Sequence, residues 1–277
     1  MKNLELFLTK HPVLSVISLT ISWFVLAMLF AGITSSLLNK EFGDTTPVFF
    51  GHLSAIIFIV LLLWKLDWLK AAGIIRSGTY QAWLLALIGI IYFVPASLYS
   101  FFGSLSFNFS NLINLHLSGN IILRNLATCI SEEIFFRGTI LLILVRVWGN
   151  TEKGLLGSVL IMSLIFALMH MMQAFSGLSG TSLLLLVFEA LMISTWWGAL
   201  VWKAKSIWPA FAAHFVGNIV IALQANSVSV IEPNVHAYTQ LLLFSIPLGI
   251  SGICLLFLTF KSQTTNNDLT SLALRCF

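Results

Sequence analysis

The sequence predicts an all-α fold, a polytopic membrane bundle of about eight transmembrane helices. Two observations predict it. Hydrophobic residues fill 58% of the 277 positions and charged residues only 9%, too few to keep a water-soluble globule of this size in solution. The apolar residues also gather in runs of about 20, the length that crosses roughly 30 Å of hydrocarbon at 1.5 Å per residue. The net charge of +4 is scattered over short connectors and forms no stripe, which argues against a nucleic-acid surface and leaves lipid headgroups as the neighbours of these cations. Cys129, Cys254 and Cys276 offer neither a paired framework nor C-x-x-C spacing, which sets redox chemistry aside.

The first run, 13–38, follows Lys2 and Lys10 as a secretory signal would, but it is too long and no small-residue cleavage site follows, so it reads as a retained span. Runs at 48–66 and 80–103 come next, and Pro95 in the latter predicts a kink that helps open a lateral gap. The fourth, 121–146, carries charge; 155–175, 181–203, 207–224 and 239–260 complete the set. With the N-terminus inside, Lys2, Lys10, Lys65, Lys70, Arg76, Arg146, Lys153, Lys203, Lys205, Lys261 and Arg275 all become cytoplasmic, and Lys40 alone among basic loop residues lies opposite. An even number of crossings with both termini cytoplasmic follows. Residues 1–277 read as a single membrane domain without internal repeats.

Ionisable groups inside such spans each cost on the order of 2.5–3.5 kcal/mol at the bilayer centre, so they mark function. The fourth span holds Ser131-Glu132-Glu133-Ile134-Phe135-Phe136-Arg137-Gly138. Glu133 and Arg137, four apart, share a helical face and can pair; Glu132 points about 100° away, free to act as a general base. His170 lies in the fifth span after Phe166, and His214 and Asn218 share a face of the seventh. Two histidines, a carboxylate and an amide on three helices can hold a water and polarise a carbonyl. Phe135, Phe136 and Phe166 read as packing. His11, His52, His116 and His236 fall near span ends or in loops, where headgroup or solvent contact is expected. Glu189, in the sixth span, is either protonated and hydrogen-bonded or part of a substrate path.

Counted from the cytoplasmic ends, Glu132 and His170 lie about 14 or 15 residues deep but His214 only about seven. A common site therefore requires Lys203–Pro209 to dip into the protein and start the seventh helix deep.

Three patterns, Glu-Glu-x-x-x-Arg at Glu132, Glu133 and Arg137, Phe-x-x-x-His at Phe166 and His170, and His-x-x-x-Asn at His214 and Asn218, resemble the CPBP (Abi) family of intramembrane proteases. That family includes the CAAX prenyl proteases and bacterial bacteriocin-processing and immunity proteins. The resemblance covers about residues 121–224, the expected catalytic core. It implies an eight-helix fold and hydrolysis of a peptide bond in a membrane-associated substrate, in a lipid-modified or bacteriocin or signal peptide. A bacterial cell membrane is the expected location. Carried over, Glu132 and His170 activate the water, His214 and Asn218 stabilise the oxyanion, and Glu133 with Arg137 supports the site. No cofactor is favoured; the alternative is a catalytic zinc on His170, His214 and Glu132. Two other functions remain open: a non-catalytic immunity or sensor-regulating scaffold, and a small transporter relaying protons through Glu132, Glu189 and the histidines.

Overall fold

The structure, a computed structural model, describes residues 2–102, 118–176, 180–225, 239 and 241–265. His116, His236, Arg275 and Cys276 lie outside them. No strand occurs among the described residues. A short helix, α1 (Lys2–Lys10), precedes α2 (Pro12–Leu38), which opens with Pro12 in its first turn and ends where Asn39 turns left-handed at φ 51°. Exposed apolar side chains recur along α2 from Val13 through Ile17, Ile21, Val25 and Leu29 to Leu37, an outer surface suited to lipid. Helix α3 (Thr45–Lys65) lies flush on α2 at Gly51, where a Cβ would come within 2.5 Å of the Ala27 carbonyl oxygen. Small residues permit such close approach in membranes. Helix α4 (Tyr80–Phe102) contains Pro95.

The charged fourth run forms one continuous rod in three parts. Helix α5 (Gly119–Glu132) is capped by Ser118, whose hydroxyl accepts from the Ile121 N–H. It passes into a π-helical stretch, Glu133–Ile140, and then α6 (Leu141–Trp148). Every residue from 133 to 145 is buried, so this rod is the axis about which the others pack. Around it stand α7 (Glu152–Met169), continued by a 3-10 stretch His170–Ser176, α8 (Gly180–Ala204) and α9 (Trp208–Ala225). A second π stretch, Leu241–Ser245, leads into α10 (Ile246–Thr265).

Each of the eight expected runs falls on helix, but length and hydropathy single out five as able to cross a membrane: Pro12–Leu38, Thr45–Lys65, Glu152–Ala174, Gly180–Ala204 and Leu241–Ser262. Tyr80–Pro95 and Trp208–Ala222 are shorter apolar helices, and the rod from α5 to α6 is interrupted by its own charges. The unforeseen element is α1. Its Glu5 pairs with Arg146 at the end of α6, 3.0 Å away, and the Arg146 guanidinium lies 4.0 Å over the Trp68 ring. These contacts gather α1, the end of α6 and the start of the α3–α4 connector at one end of the molecule.

That connector, residues 66–79, folds inward. Ala72 is buried, and its carbonyl oxygen lies 3.4 Å from where a Cβ on Gly138 would stand. The α8–α9 connector lies against it: the Ile207 N–H donates to Gly73 O, the Trp208 indole to Ile74 O, and the Ser206 hydroxyl to Arg76 O. Lys205 takes φ 55° to make the turn. Ser206 and Ile207 are buried, so α9 starts inside the protein, against the 66–79 connector.

Candidate active site

The site grows from the junction of α5 and the π stretch. Placing Glu133 at the junction aligns it with Arg137, and their side chains form an ion pair at 2.9 Å with neither exposed. A π turn widens the helix and is frequent at functional sites. The guanidinium is further held by Ser194 of α8, whose hydroxyl accepts from Nη2 at 2.7 Å, and it stacks 4.4 Å from the Phe166 ring centre and 5.2 Å from that of Trp197. Desolvating two charges is expensive, and these hydrogen bonds and aromatic faces offset part of the cost, although Arg137 Nε and Glu133 Oε2 are buried without a hydrogen-bond partner among the described residues.

His214 reaches this pair from α9. Its Nδ1 lies 2.8 Å from Glu133 Oε1, and its Nε2 lies 3.6 Å from Glu132 Oε2. One imidazole therefore spans the two carboxylates that the helical turn points apart. Trp197 stacks on the ring at 4.2 Å and 25°, and Phe166 meets it edge-on at 6.1 Å. The ring is fixed on all these sides, with Nε2 aimed at Glu132. The two carboxylates differ sharply: the Glu133 side chain has no exposure and that of Glu132 has 18%, because Glu132 borders a cavity.

That cavity has a volume of about 200 Å³ and lies between α2, α3 and the α7 end. Glu132, His170, His52, Trp23 and Phe166 are among its walls. His170 is anchored where α7 tightens into 3-10 helix, its Nδ1 3.0 Å from the Phe166 carbonyl. Phe166 thus does more than pack, since it also carries the Arg137 guanidinium.

Asn218 stands one turn beyond His214. Its amide donates to Cys129 Sγ at 3.3 Å, and the thiol is within hydrogen-bonding reach of His214. Asn218 also borders a second, apolar space of about 40 Å³ with Gly89, Phe93 and Trp197. The structure thus brings Glu132, Glu133, Arg137 and His214 into direct contact, joins Asn218 to them through Cys129, and sets His170 across the main cavity. No group of three His, Cys, Asp or Glu side chains among the described residues is drawn together to hold an ion. Nδ1 of His214 is engaged by Glu133 and Nδ1 of His170 by a backbone carbonyl, interactions that fix the orientation of each ring.

Sequence reasoning missed Ser194, Trp197, Cys129 and His52. Cys129 had a signal, four residues before Glu133 and so on its face. Ser194 and Trp197 had little, since only tertiary packing brings α8 beside Arg137. His52 is a correction: expected at a lipid headgroup, it is turned inward, with Nδ1 buried. Glu189 is half-buried on α8 and is not a free carboxylate.

Apolar helices around a cluster of carboxylates, guanidinium and imidazole define an integral membrane protein with a polar centre. Residues 114–220, from just before α5 through most of α9, match the family model described as Type II CAAX prenyl endopeptidase Rce1-like, and the three motifs all fall within that stretch. No curated protein and no solved structure matches the chain.

Proposed function

We propose that this chain is an intramembrane endopeptidase that hydrolyses a peptide bond of a membrane-associated, lipid-modified peptide. The observation that carries the reading is the facing pair of Glu132 Oε2 and His214 Nε2, 3.6 Å apart, with Glu132 at the wall of the cavity that His170 shares. A water held by Glu132 and His170 loses a proton to Glu132 as its oxygen attacks the scissile carbonyl. His214 Nε2 and the Asn218 amide donate to the oxyanion, and Glu132 returns the proton to the departing amine. Glu133 acts on this reaction by orienting His214, as a carboxylate orients the imidazole of a hydrolytic triad, and Arg137 holds Glu133. The carboxylate serves as base without a metal; unchanged activity of the purified protein in chelator is the expected result, and loss restored by zinc would replace this mechanism.

The decisive test is Glu132→Gln in the native host, with membrane peptides compared by mass spectrometry. Accumulation of an uncleaved precursor is expected. A phenotype that follows gene loss but is absent in Glu132→Gln would assign the function to binding and sink the hydrolytic reading.

A further inference from the structure

Arg124 is the charged side chain of α5 that this mechanism leaves without a task. It is exposed, two turns before Glu132, and among the described residues no carboxylate lies in ion-pair contact with it. A guanidinium on a membrane helix is costly, and it is the group that grips a carboxylate with two parallel hydrogen bonds.

At about 100° per residue, Arg124 points within about 20° of Ser131 and about 80° of Glu132, in the sector between them. That sector borders the main cavity, because Ser131 Oγ accepts from the Trp23 indole, and Trp23 and Glu132 both stand in the wall. His52 of α3, also in the wall, lies within electrostatic reach of both Glu132 and Arg124. Helix α3 and the rod both finish near the contact of Arg146 with Trp68, so their first turns lie together at the other end of the molecule. The cavity wall reaches that end at Phe42 and Val48. Arg124 stands over it, about 12 Å from Glu132 along α5.

In a lipid-modified peptide of the C-a-a-X type the cysteine carries the lipid, and three residues follow it to a free carboxylate. A cut after that cysteine leaves about 10 Å of extended chain between the scissile carbonyl and the carboxylate. With a hydrogen-bond length added at each end, such a chain spans from Glu132 to a guanidinium two turns away.

We propose that Arg124 is a substrate-binding residue that pairs with the free C-terminal carboxylate of the peptide, three residues beyond the scissile bond. The proposal rests on the endopeptidase reading above, with the peptide running from Glu132 toward the first turns of α3 and α5. Arg124 then measures the distance from the lipid-bearing cysteine to the chain end, and a longer tail puts its carboxylate out of register.

The probe is a farnesylated C-a-a-X peptide with an N-terminal fluorescein, made as the free acid and as the C-terminal carboxamide. The full-length protein is held in phosphatidylcholine nanodiscs; affinity is read by anisotropy and cleavage by mass spectrometry. The wild type is expected to bind the acid about ten- to a hundredfold more tightly than the amide, the span of one hydrogen-bonded charge pair. Arg124→Gln removes this preference by weakening the acid alone, and Arg124→Lys, which keeps the charge without the fork, retains part of it. Equal affinity of the wild type for the two forms overturns the proposal. So does an Arg124→Gln variant that weakens both alike, the result expected of an arginine held by headgroup phosphate or by packing. Binding that depends on Arg124 and the carboxylate without any cleavage supports the proposal and defeats the hydrolytic reading; cleavage of both forms at one rate does the reverse. A measurement on the unmodified protein covers the case of variants that do not fold. A photo-crosslinker in the last residue of the acid peptide should label α5 around Arg124 or the first turns of α3, and labelling confined to the His170 side of the cavity overturns the assignment.

Discussion

Glu132 and Glu133 are adjacent, yet the structure separates their consequences. Glu133 has no exposure and is bound to both Arg137 and His214, so Glu133→Gln strands the guanidinium in the core. Removing one partner of a buried ion pair costs about 3–5 kcal/mol, and a large fall in thermal unfolding temperature in detergent is expected. Glu132→Gln leaves Arg137 paired, and should keep the unfolding temperature near wild type while lowering kcat by about 10²–10⁴, the usual worth of a general base. Equal destabilisation by the two variants would show that both carboxylates are structural. The pairing of Glu133 with Arg137 was legible from a spacing of four on one helix. That His214 would bridge both glutamates was not, because it depends on where α9 begins and on Trp197 stacking behind the ring.

At the scale of elements, the charged rod and α9 meet because two connectors fold inward beneath them. Gly73 makes this possible: it takes φ 71°, and a Cβ there would lie 2.8 Å from Ser206 Cα. Gly73→Ala should therefore push the α8–α9 connector away, costing about 1–3 kcal/mol by overpacking and more through the disfavoured φ. Because α9 carries His214, kcat/KM should fall with it; unchanged stability and activity would mean the two connectors are not coupled. The helices were readable because apolar runs are local signals. The inward fold of residues 66–79 was not readable, since its buried residues, Trp68 and Ala72, look like those of any short interhelical loop. The depth mismatch of His214 was the single clue, and it drew attention to residues 203–209 without their partner.

For the whole molecule, orientation is the open consequence of the charge pattern. Glu5, Arg146 and Trp68 are joined in one cluster, so α1, the end of α6 and the 66–79 connector share one end of the bundle. The positive-inside rule predicts that this end is cytoplasmic, with Lys40 and the turn after α2 on the far side. The two inferences are independent, one from packing and one from charge bias, and they group Lys10, Lys65, Lys70 and Arg146 in the same way. Single cysteines at Lys70 and Lys153 should react with a membrane-impermeant maleimide only after the cytoplasmic face is opened, while one at Lys40 should react in intact cells. Native Cys129 is buried in the core, and replacing both Cys254, exposed on the apolar α10, and Cys276 with Ser removes the other two thiols. Labelling of Lys40 and Lys70 from the same side would break the alternation of spans between them. Labelling of both with sides exchanged would keep the bundle and invert it, delivering the substrate to Glu132 from the opposite face of the membrane.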